Sequence, residues 1–338
     1  MIRFALIGLD HRHAYHLVGG LLDAGATCAG FCPQTSDVRV LAGFRERFPG
    51  LVPVPRERLL DDPSIDVICC AAIPDERAGL AIEAMRRGKD VMVDKPGVTS
   101  LDRLGAVRRT VAETGRIFSI CFSERLVVPA METAVRLVAG GAIGRVVQTV
   151  GLGPHRLNPA IRPPWFFDAR RFGGILVDIA SHQIDQFLVL TGTADARIAM
   201  SAVGHLGTAT EGDFQDFGEI ALRADGAAGY IRVDWFTPDG LPTWGDGRLF
   251  VMGTEGTIEV RKYLDIAGRP GTDHLFLADR TGTRHIDCAG EPLTYFRRFL
   301  DDVRARTQTA IPQEHVFTVS RLALDAQAGA TWIKGGAS

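Results

Sequence analysis

Ile2-Arg3-Phe4-Ala5-Leu6-Ile7-Gly8, followed directly by Leu9-Asp10-His11-Arg12-His13, decides the fold of the first part of this chain. The apolar run predicts a buried strand, the residues after it a turn, and the amphipathic pattern over 14–24 a helix. The same order recurs along the next hundred residues, with strands predicted at 27–32, 67–72, 90–93 and 117–121 and helices at 36–48, 76–87 and 101–114. This alternation is typical of a doubly wound parallel sheet, which binds ligands beyond the carboxyl ends of its strands.

The remaining residues predict a different architecture. Strand patterns cover 146–151, 197–205, 214–223, 229–236, 248–252, 257–260 and 274–277, and helical patterns cover 130–139, 293–306 and 317–333. Runs of strands separated by short turns are typical of an antiparallel sheet. We therefore predict a Rossmann domain at 1–122 and an α+β domain with a mostly antiparallel, open-faced sheet at 123–338.

Composition restricts the class of protein. Of the 338 residues, 46% are hydrophobic and 23% charged, with a formal net charge of −2. Without a dense Lys/Arg run, a nucleic-acid partner is not expected. The first apolar run is too short for a signal peptide, and no run approaches the roughly 18 residues of a membrane span. The six cysteines fall mostly in strand-like apolar runs and lack the paired spacing of a zinc site, so we predict a cytoplasmic, reduced protein with no bound metal.

The first turn only partly matches a dinucleotide fingerprint. Of the three glycines in G-x-G-x-x-G, only Gly8 is present, and Asp10 and His13 stand at the other two positions. The second strand lacks the expected ribose-binding acid; Gln34, Thr35, Ser36 and Arg39 would tolerate or attract a 2′-phosphate, so NAD and NADP both remain open. The predicted cofactor-binding residues are Gly8, Asp10, His11, Arg12, His13, Gln34, Ala72, Pro74, Asp94 and Lys95.

A metal-dependent amidohydrolase is the competing interpretation of the same turn. Two imidazoles one residue apart, His11 and His13, directly follow a first strand and could hold a divalent metal. Such a barrel needs strand–helix units to the end of the chain, and the strand-rich second half argues against it.

Two further segments carry candidate chemistry. Lys95 follows the fourth strand within Val91-Met92-Val93-Asp94-Lys95-Pro96-Gly97. An isolated lysine in a surface loop is normally solvated, but the apolar neighbours and the position at the strand end favour a functional role here. In Gly173-Gly174-Ile-Leu-Val-Asp178-Ile-Ala-Ser181-His182, a helix would place Asp178 and His182 on one face. These two residues form either a buried hydrogen-bonded pair or part of a site, and the glycines would let the helix start lie close to a cofactor.

Together, Asp94-Lys95-Pro96 and Gly173-Gly174-x-x-x-Asp178-x-x-x-His182 resemble the glucose–fructose oxidoreductase/inositol dehydrogenase (Gfo/Idh/MocA) family. Gly141-Ala142-Ile143-Gly144 and Gly253–Glu259 match too, although Asp94 replaces the usual glutamate and Arg77 stands where members often carry histidine. The resemblance implies a bound nicotinamide dinucleotide, a homo-oligomer (dimer or tetramer), and catalytic roles for Lys95, Asp178 and His182.

The function predicted on this basis is oxidation of a secondary hydroxyl, or reduction of a carbonyl, in a sugar, polyol or similar small molecule. His182 or Lys95 would act as the base, Asp178 would orient the substrate, and the Lys95 ammonium would stabilise a developing alkoxide. Substrate-contact candidates are His155, Arg156, Trp165, Trp235 and Trp244; the aromatic loop at 234–248 suits sugar rings but also suits a structural turn or subunit interface. A non-catalytic dinucleotide-binding regulator is the alternative.

Overall fold

The computed structural model describes residues 1–207 and 214–334, which form two compact units. The first unit contains Met1–Cys121, Pro163–Gly173 and Thr294–Ser320, and the second contains the described residues of Phe122–Arg162, Gly174–Leu293 and Arg321–Ser338. None of the helices in the described ranges combines the length and the apolar character that crossing a membrane requires.

The first unit is built on a five-stranded parallel sheet with strand order β2-β1-β3-β4-β5. The strands are β1 (Arg3–Leu9), β2 (Thr27–Phe31), β3 (Val67–Ala71), β4 (Asp90–Asp94) and β5 (Phe118–Cys121). The intervening helices are α1 (Ala14–Asp23), α2 (Val38–Arg47), α3 (Arg56–Asp61), α4 (Pro74–Arg86) and α5 (Leu101–Thr114). Every residue of β3, β4 and β5 is buried, as expected for a parallel sheet covered on both faces.

Successive strands are added toward one edge of the sheet from β1 to β2 and toward the other edge from β3 onward. In open parallel sheets, ligands bind at the point where this order reverses, which here lies between β1 and β3. The predicted Rossmann fold is therefore confirmed. The amidohydrolase interpretation is wrong for the described chain, because the sheet is open and five-stranded rather than an eight-stranded barrel.

The second unit carries a nine-stranded sheet in the order β13-β12-β11-β10-β6-β9-β8-β7-β14. Its strands are β6 (Val146–Pro154), β7 (Arg197–His205), β8 (Phe217–Ala224), β9 (Ala227–Asp234), β10 (Arg248–Gly253), β11 (Gly256–Arg261), β12 (His274–Asp279), β13 (Gly282–Asp287) and β14 (Thr331–Lys334). Most neighbours are antiparallel, and the pairs β6–β9 and β7–β14 are parallel. The predicted mostly antiparallel sheet is confirmed.

The remaining helices are α6 (Ser123–Leu126), α7 (Pro129–Ala139), α8 (Ala169–Phe172), α9 (Ile175–Asp178), α10 (Ala180–Thr191), α11 (Tyr295–Ala305) and α12 (Gln313–Ala328). Of these, α11 and the first half of α12 belong with the Rossmann sheet, although sequence placed the whole of 123–338 in the second domain. The reason is tertiary hydrogen bonding: the Gln313 side chain accepts from the Phe118 amide and donates to its carbonyl. Tyr295 also bonds Ser119, and Arg306 pairs with Asp90.

The sequence suggested one continuous helix over the segment 173–188, but the structure shows two helices there. The segment consists of α9 and α10, with Ile179 between them. The α9 amides of Ile175 and Leu176 are capped by the side-chain oxygens of Gln215 and Gln327. A Cβ at Gly174 would lie 2.3 Å from Gln327. Glycine at 174 thus allows Gln327 of the second unit to pack against this helix start, and the close approach of a cofactor to the two glycines stays a prediction.

Glycines in β6 let α10 lie directly on the sheet. A Cβ at Gly151 would lie 2.7 Å from Cγ of Gln183, and one at Gly153 would lie 2.9 Å from Nε2 of the same side chain. Side-chain-bearing residues at these two positions would push α10 away from β6. The sequence of β6 therefore fixes the height of the helix that carries His182.

Candidate active site

The turn between β1 and α1 lies at the carboxyl edge of the Rossmann sheet. Gly8 has φ +83°, and a Cβ there would lie 2.5 Å from Cβ of Ala72, so glycine allows β1 to approach the residue that follows β3. The Asp10 and His11 amides both donate to the Ala71 carbonyl. Because these two amides already donate to a backbone carbonyl, they are not available to donate to a phosphate.

A dinucleotide nevertheless fits this edge. Helix α1 begins without a side-chain cap at His13, so its amino-terminal dipole remains available to a phosphate. Arg12, in the same turn, is exposed. We infer that the helix terminus and a guanidinium replace the bare glycine backbone of the usual fingerprint. Gln34, also predicted to bind cofactor, is exposed beyond β2, and Pro74 is the first residue of α4.

Asp94, the last residue of β4, contacts two of the predicted cofactor-binding residues, His11 and His13. Its carboxylate accepts a hydrogen bond of 2.8 Å from Nδ1 of His13, lies 3.4 Å from Nδ1 of His11, and lies 3.0 Å from Nη2 of Arg77. Burial alone would raise the pKa of Asp94, but His13, Arg77 and His11 hold it well below its usual range. Asp94 is therefore an anion that is stabilised by groups from two elements, the β1–α1 turn and α4.

Arg77 is the residue that sequence reasoning noticed but gave no role. It is 1% exposed, and its guanidinium donates to the Ala72 carbonyl at 2.7 Å and to the carbonyls of Asp94, Lys95 and Pro96. It therefore fixes the backbone on both sides of Lys95. Lys95 itself is buried at this edge, so a solvated surface lysine is excluded. The sequence signal for the role of Arg77 was its charge at an otherwise apolar position of the amphipathic pattern of α4.

His11, His13 and Asp94 also have the composition of a metal centre. Within the described ranges they form the group whose ligand atoms lie within 4.8 Å of one another. The charges around them are unfavourable for a divalent cation, because Arg77 already pairs with Asp94 and Lys95 acts electrostatically on both histidines. We interpret the cluster as a carboxylate that pairs with Arg77 and accepts a hydrogen bond from His13, with His11 beside it, and the absence of a metal stays a prediction.

The two histidines should make stability depend on pH. Burial lowers the pKa of His13 from 6.5 to about 4, with Asp94 only partly opposing it, and burial lowers the pKa of His11 as well. Between pH 6.5 and pH 4 the unfolded chain thus binds more protons than the folded one, so the free energy of unfolding falls as pH falls. We expect His13→Asn, which keeps a donor for Asp94, to reduce this fall by as much as about 3 kcal/mol. Urea unfolding at several pH values measures it; equal slopes for both proteins would contradict it.

In the second unit, His182 lies buried in the first turn of α10, and Asp178 ends α9. The sequence did not identify Glu124, in α6, which interacts electrostatically with His182 and whose carboxylate pairs with Nζ of Lys262 at 2.5 Å. Burial alone would raise the pKa of Glu124, but Lys262, His182 and His155 hold it at about 2. An anion close to His182 can stabilise the imidazolium that forms when this histidine takes up a proton.

Other polar residues of α10 are structural. Asp185 is fully buried and pairs bidentately with Arg125, at 2.6 and 2.7 Å. Gln186 donates to the Glu124 carbonyl. The segment therefore contains buried polar contacts made by Asp185 and Gln186, whereas the Asp178–His182 pair, as a hydrogen-bonded pair or as part of a site, stays a prediction.

The substrate-contact candidates occur in two groups. In the second unit, Arg156 bonds Asp239 and the carbonyls of Pro238, Leu241 and Thr243, and Arg162 lies 5.1 Å from the Trp235 ring and 5.0 Å from the Trp244 ring. The His155 ring contacts Trp235, which is buried, whereas Trp244 is 36% exposed. These contacts favour a structural role for Arg156 and Trp235 and leave Trp244 as the surface candidate. Trp165 lies in the first unit, with its ring 6.5 Å from His11.

Comparison with known proteins agrees with this architecture. The model of the oxidoreductase family with an NAD-binding Rossmann fold matches residues 3–122, and the GFO/IDH/MocA C-terminal domain model matches residues 131–259. The crystal structure of a presumed oxidoreductase from Erwinia carotovora atroseptica SCRI1043 is 45% identical, with TM-score 0.94, over 98% of this chain and 100% of that one.

Two further relatives have named substrates. The scyllo-inositol 2-dehydrogenase (NAD(+)) of Bacillus subtilis (strain 168) is 27% identical over 271 residues, 76% of this chain and 73% of that protein. A levoglucosan dehydrogenase in complex with NADH and levoglucosan is 19% identical, with TM-score 0.79, over 97% of this chain and 96% of that one. The second likeness shows the fold alone.

Proposed function

Because the chain belongs to the Gfo/Idh/MocA family of oxidoreductases and has its NAD-binding Rossmann domain, we propose that it is an NAD(P)-dependent dehydrogenase of a sugar, a polyol or a related small molecule. The reaction is interconversion of a secondary hydroxyl and a carbonyl. The observation that carries this proposal is Lys95, a buried lysine at the carboxyl end of β4 whose flanking carbonyls are held by Arg77. The substrate class is supported by relatives of this chain that are named as dehydrogenases of an inositol and of an anhydrosugar.

The proposed chemistry assigns one task to each residue. A bound nicotinamide supplies hydride acceptance and donation. The Lys95 ammonium stabilises negative charge on the reacting oxygen, and His182 accepts the hydroxyl proton. Glu124 stabilises the protonated histidine, and Asp178 orients the substrate hydroxyl.

The test combines binding with turnover. The purified protein is titrated with NADH and NADPH, and is then assayed with NAD⁺ and NADP⁺ against a panel that includes scyllo-inositol, levoglucosan and aldoses, by the absorbance of reduced nicotinamide. We expect turnover of at least one polyol or sugar. Dinucleotide binding without turnover across the panel would favour the non-catalytic regulator, and failure to bind either dinucleotide would reject the proposal.

We also propose that the protein is a homo-oligomer that buries one face of the second unit's sheet. On β10, Leu249 and Val251 face the core, whereas Phe250 and Met252 are 39% and 47% exposed. Exposed apolar side chains on an open sheet are typical of subunit interfaces. We expect Phe250→Lys with Met252→Lys to shift the sedimentation coefficient to that of a monomer; a parent protein that is already monomeric would contradict this.

A further inference from the structure

The carboxylate of Asp10 accepts hydrogen bonds from polar groups in the segment that follows β2. Asp10 is 8% exposed, and its Oδ1 accepts from the Ser36 amide at 2.5 Å and from the Ser36 hydroxyl at 2.7 Å. Thr35 donates to the Leu9 carbonyl and lies 3.4 Å from the same Oδ1. The β1–α1 turn and the β2–α2 connection are thus joined through a single carboxylate.

The nearby cation is also engaged. Arg39 donates through Nε and Nη2 to the two oxygens of Asp37, both at 2.9 Å, and its amide donates to the same carboxylate, which caps α2. The Arg39 side-chain hydrogen bond is the main reason that the pKa of Asp37 is lowered. The serine, threonine and arginine that suggested a 2′-phosphate site in the sequence therefore have partners within the protein.

In Rossmann domains, the residues that follow the second strand contact the adenosine ribose. An acid there accepts from the ribose 2′-hydroxyl, whereas an arginine accommodates a 2′-phosphate. This chain has no acid at the tip of β2, yet Asp10 brings a carboxylate to the same connection from the adjacent strand β1. We propose that Asp10 is the specificity-determining residue that selects NAD over NADP, by accepting from the ribose hydroxyl and repelling a 2′-phosphate.

This inference deepens the proposed function, since it names which dinucleotide the enzyme uses. A 2′-phosphate would place its negative charge beside Asp10, and it would compete with that carboxylate for the Ser36 amide and hydroxyl. Like charges brought together at a binding site disfavour the complex strongly. We therefore expect the parent protein to bind NADH at least about tenfold more tightly than NADPH.

The experiment measures dissociation constants for NADH and NADPH by fluorescence titration, without any substrate. Asp10→Asn keeps an acceptor for Ser36 but removes the charge, and it should narrow the NADH preference by about tenfold. Asp23→Asn, an equal charge change at the far end of α1, is the matched control and should leave the ratio unchanged. Asp37→Asn retains the helix cap and releases Arg39, and it should tighten NADPH binding even if the Asp10 variant does not fold.

The outcomes separate the two proposals. A parent protein that binds NADPH as tightly as NADH, or a folded Asp10→Asn variant with an unchanged ratio, would overturn the role of Asp10 and leave the dehydrogenase proposal standing. Binding of neither dinucleotide would reject both. We expect the ratio of the NADPH to the NADH dissociation constant to fall in Asp10→Asn and to stay unchanged in Asp23→Asn.

Discussion

Lys95→Met and His182→Asn are each expected to lower kcat by about a thousandfold or more while NADH affinity is largely retained. Methionine fills the space of the lysine stem but removes the ammonium that would stabilise the developing alkoxide. Asparagine keeps a polar group in α10 but cannot accept the hydroxyl proton. Steady-state kinetics with a substrate identified from the sugar and polyol panel, together with NADH titration, measures both effects.

Two features of this experiment separate chemistry from folding. Lys334→Met removes an exposed lysine from β14 and should change neither kcat nor NADH affinity. Because Arg77 donates hydrogen bonds to the carbonyls of Asp94 and Pro96, the backbone around residue 95 should keep its position in the Lys95→Met variant. Full activity in either active-site variant would remove that residue from the mechanism, and lost NADH binding would indicate a structural role.

Local sequence patterns predicted those elements whose ends are determined locally. The helix predicted at 101–114 matches α5 at both ends, because Ser100 caps its start and Gly115 ends it in the left-handed conformation. Strand β13 was missed, because its side chains are polar and mostly exposed and its position depends on pairing with β12. The helix predicted at 317–333 was extended too far, since α12 ends at Ala328 and the last residues pair with β7 as β14.

The candidate site was predicted less completely, because its contacts connect distant parts of the chain. The sequence identified His13, Asp94 and Lys95 individually, but the hydrogen bond from His13 to Asp94 spans 81 residues and has no local signal. Asp10 was predicted to bind the cofactor because of its position in the first turn, but its hydrogen bonds to Ser36 depend on the pairing of β1 with β2. Side-chain roles of this kind follow from strand order, which spacing in the sequence does not specify.

Arg77→Met is expected to lower the free energy of unfolding by about 3–5 kcal/mol, because it leaves a buried carboxylate without its guanidinium partner. The substitution would also remove donors from four carbonyls, those of Ala72, Asp94, Lys95 and Pro96. Unsatisfied buried acceptors add to the cost. Guanidinium chloride unfolding measures the change, and kcat should fall in the folded fraction because the Lys95 backbone loses its restraint.

Two matched variants test whether burial and geometry, rather than charge, produce this effect. Arg87→Met removes an arginine whose side chain is 32% exposed and whose partners Asp61, Glu57 and Glu83 are 69%, 61% and 32% exposed, so it should cost less than about 1 kcal/mol. Arg77→Lys keeps the charge but lacks the planar fork that reaches several carbonyls, and it should recover only part of the loss. An Arg77→Met protein as stable and as active as the parent would show that Asp94 and Lys95 are held by other contacts.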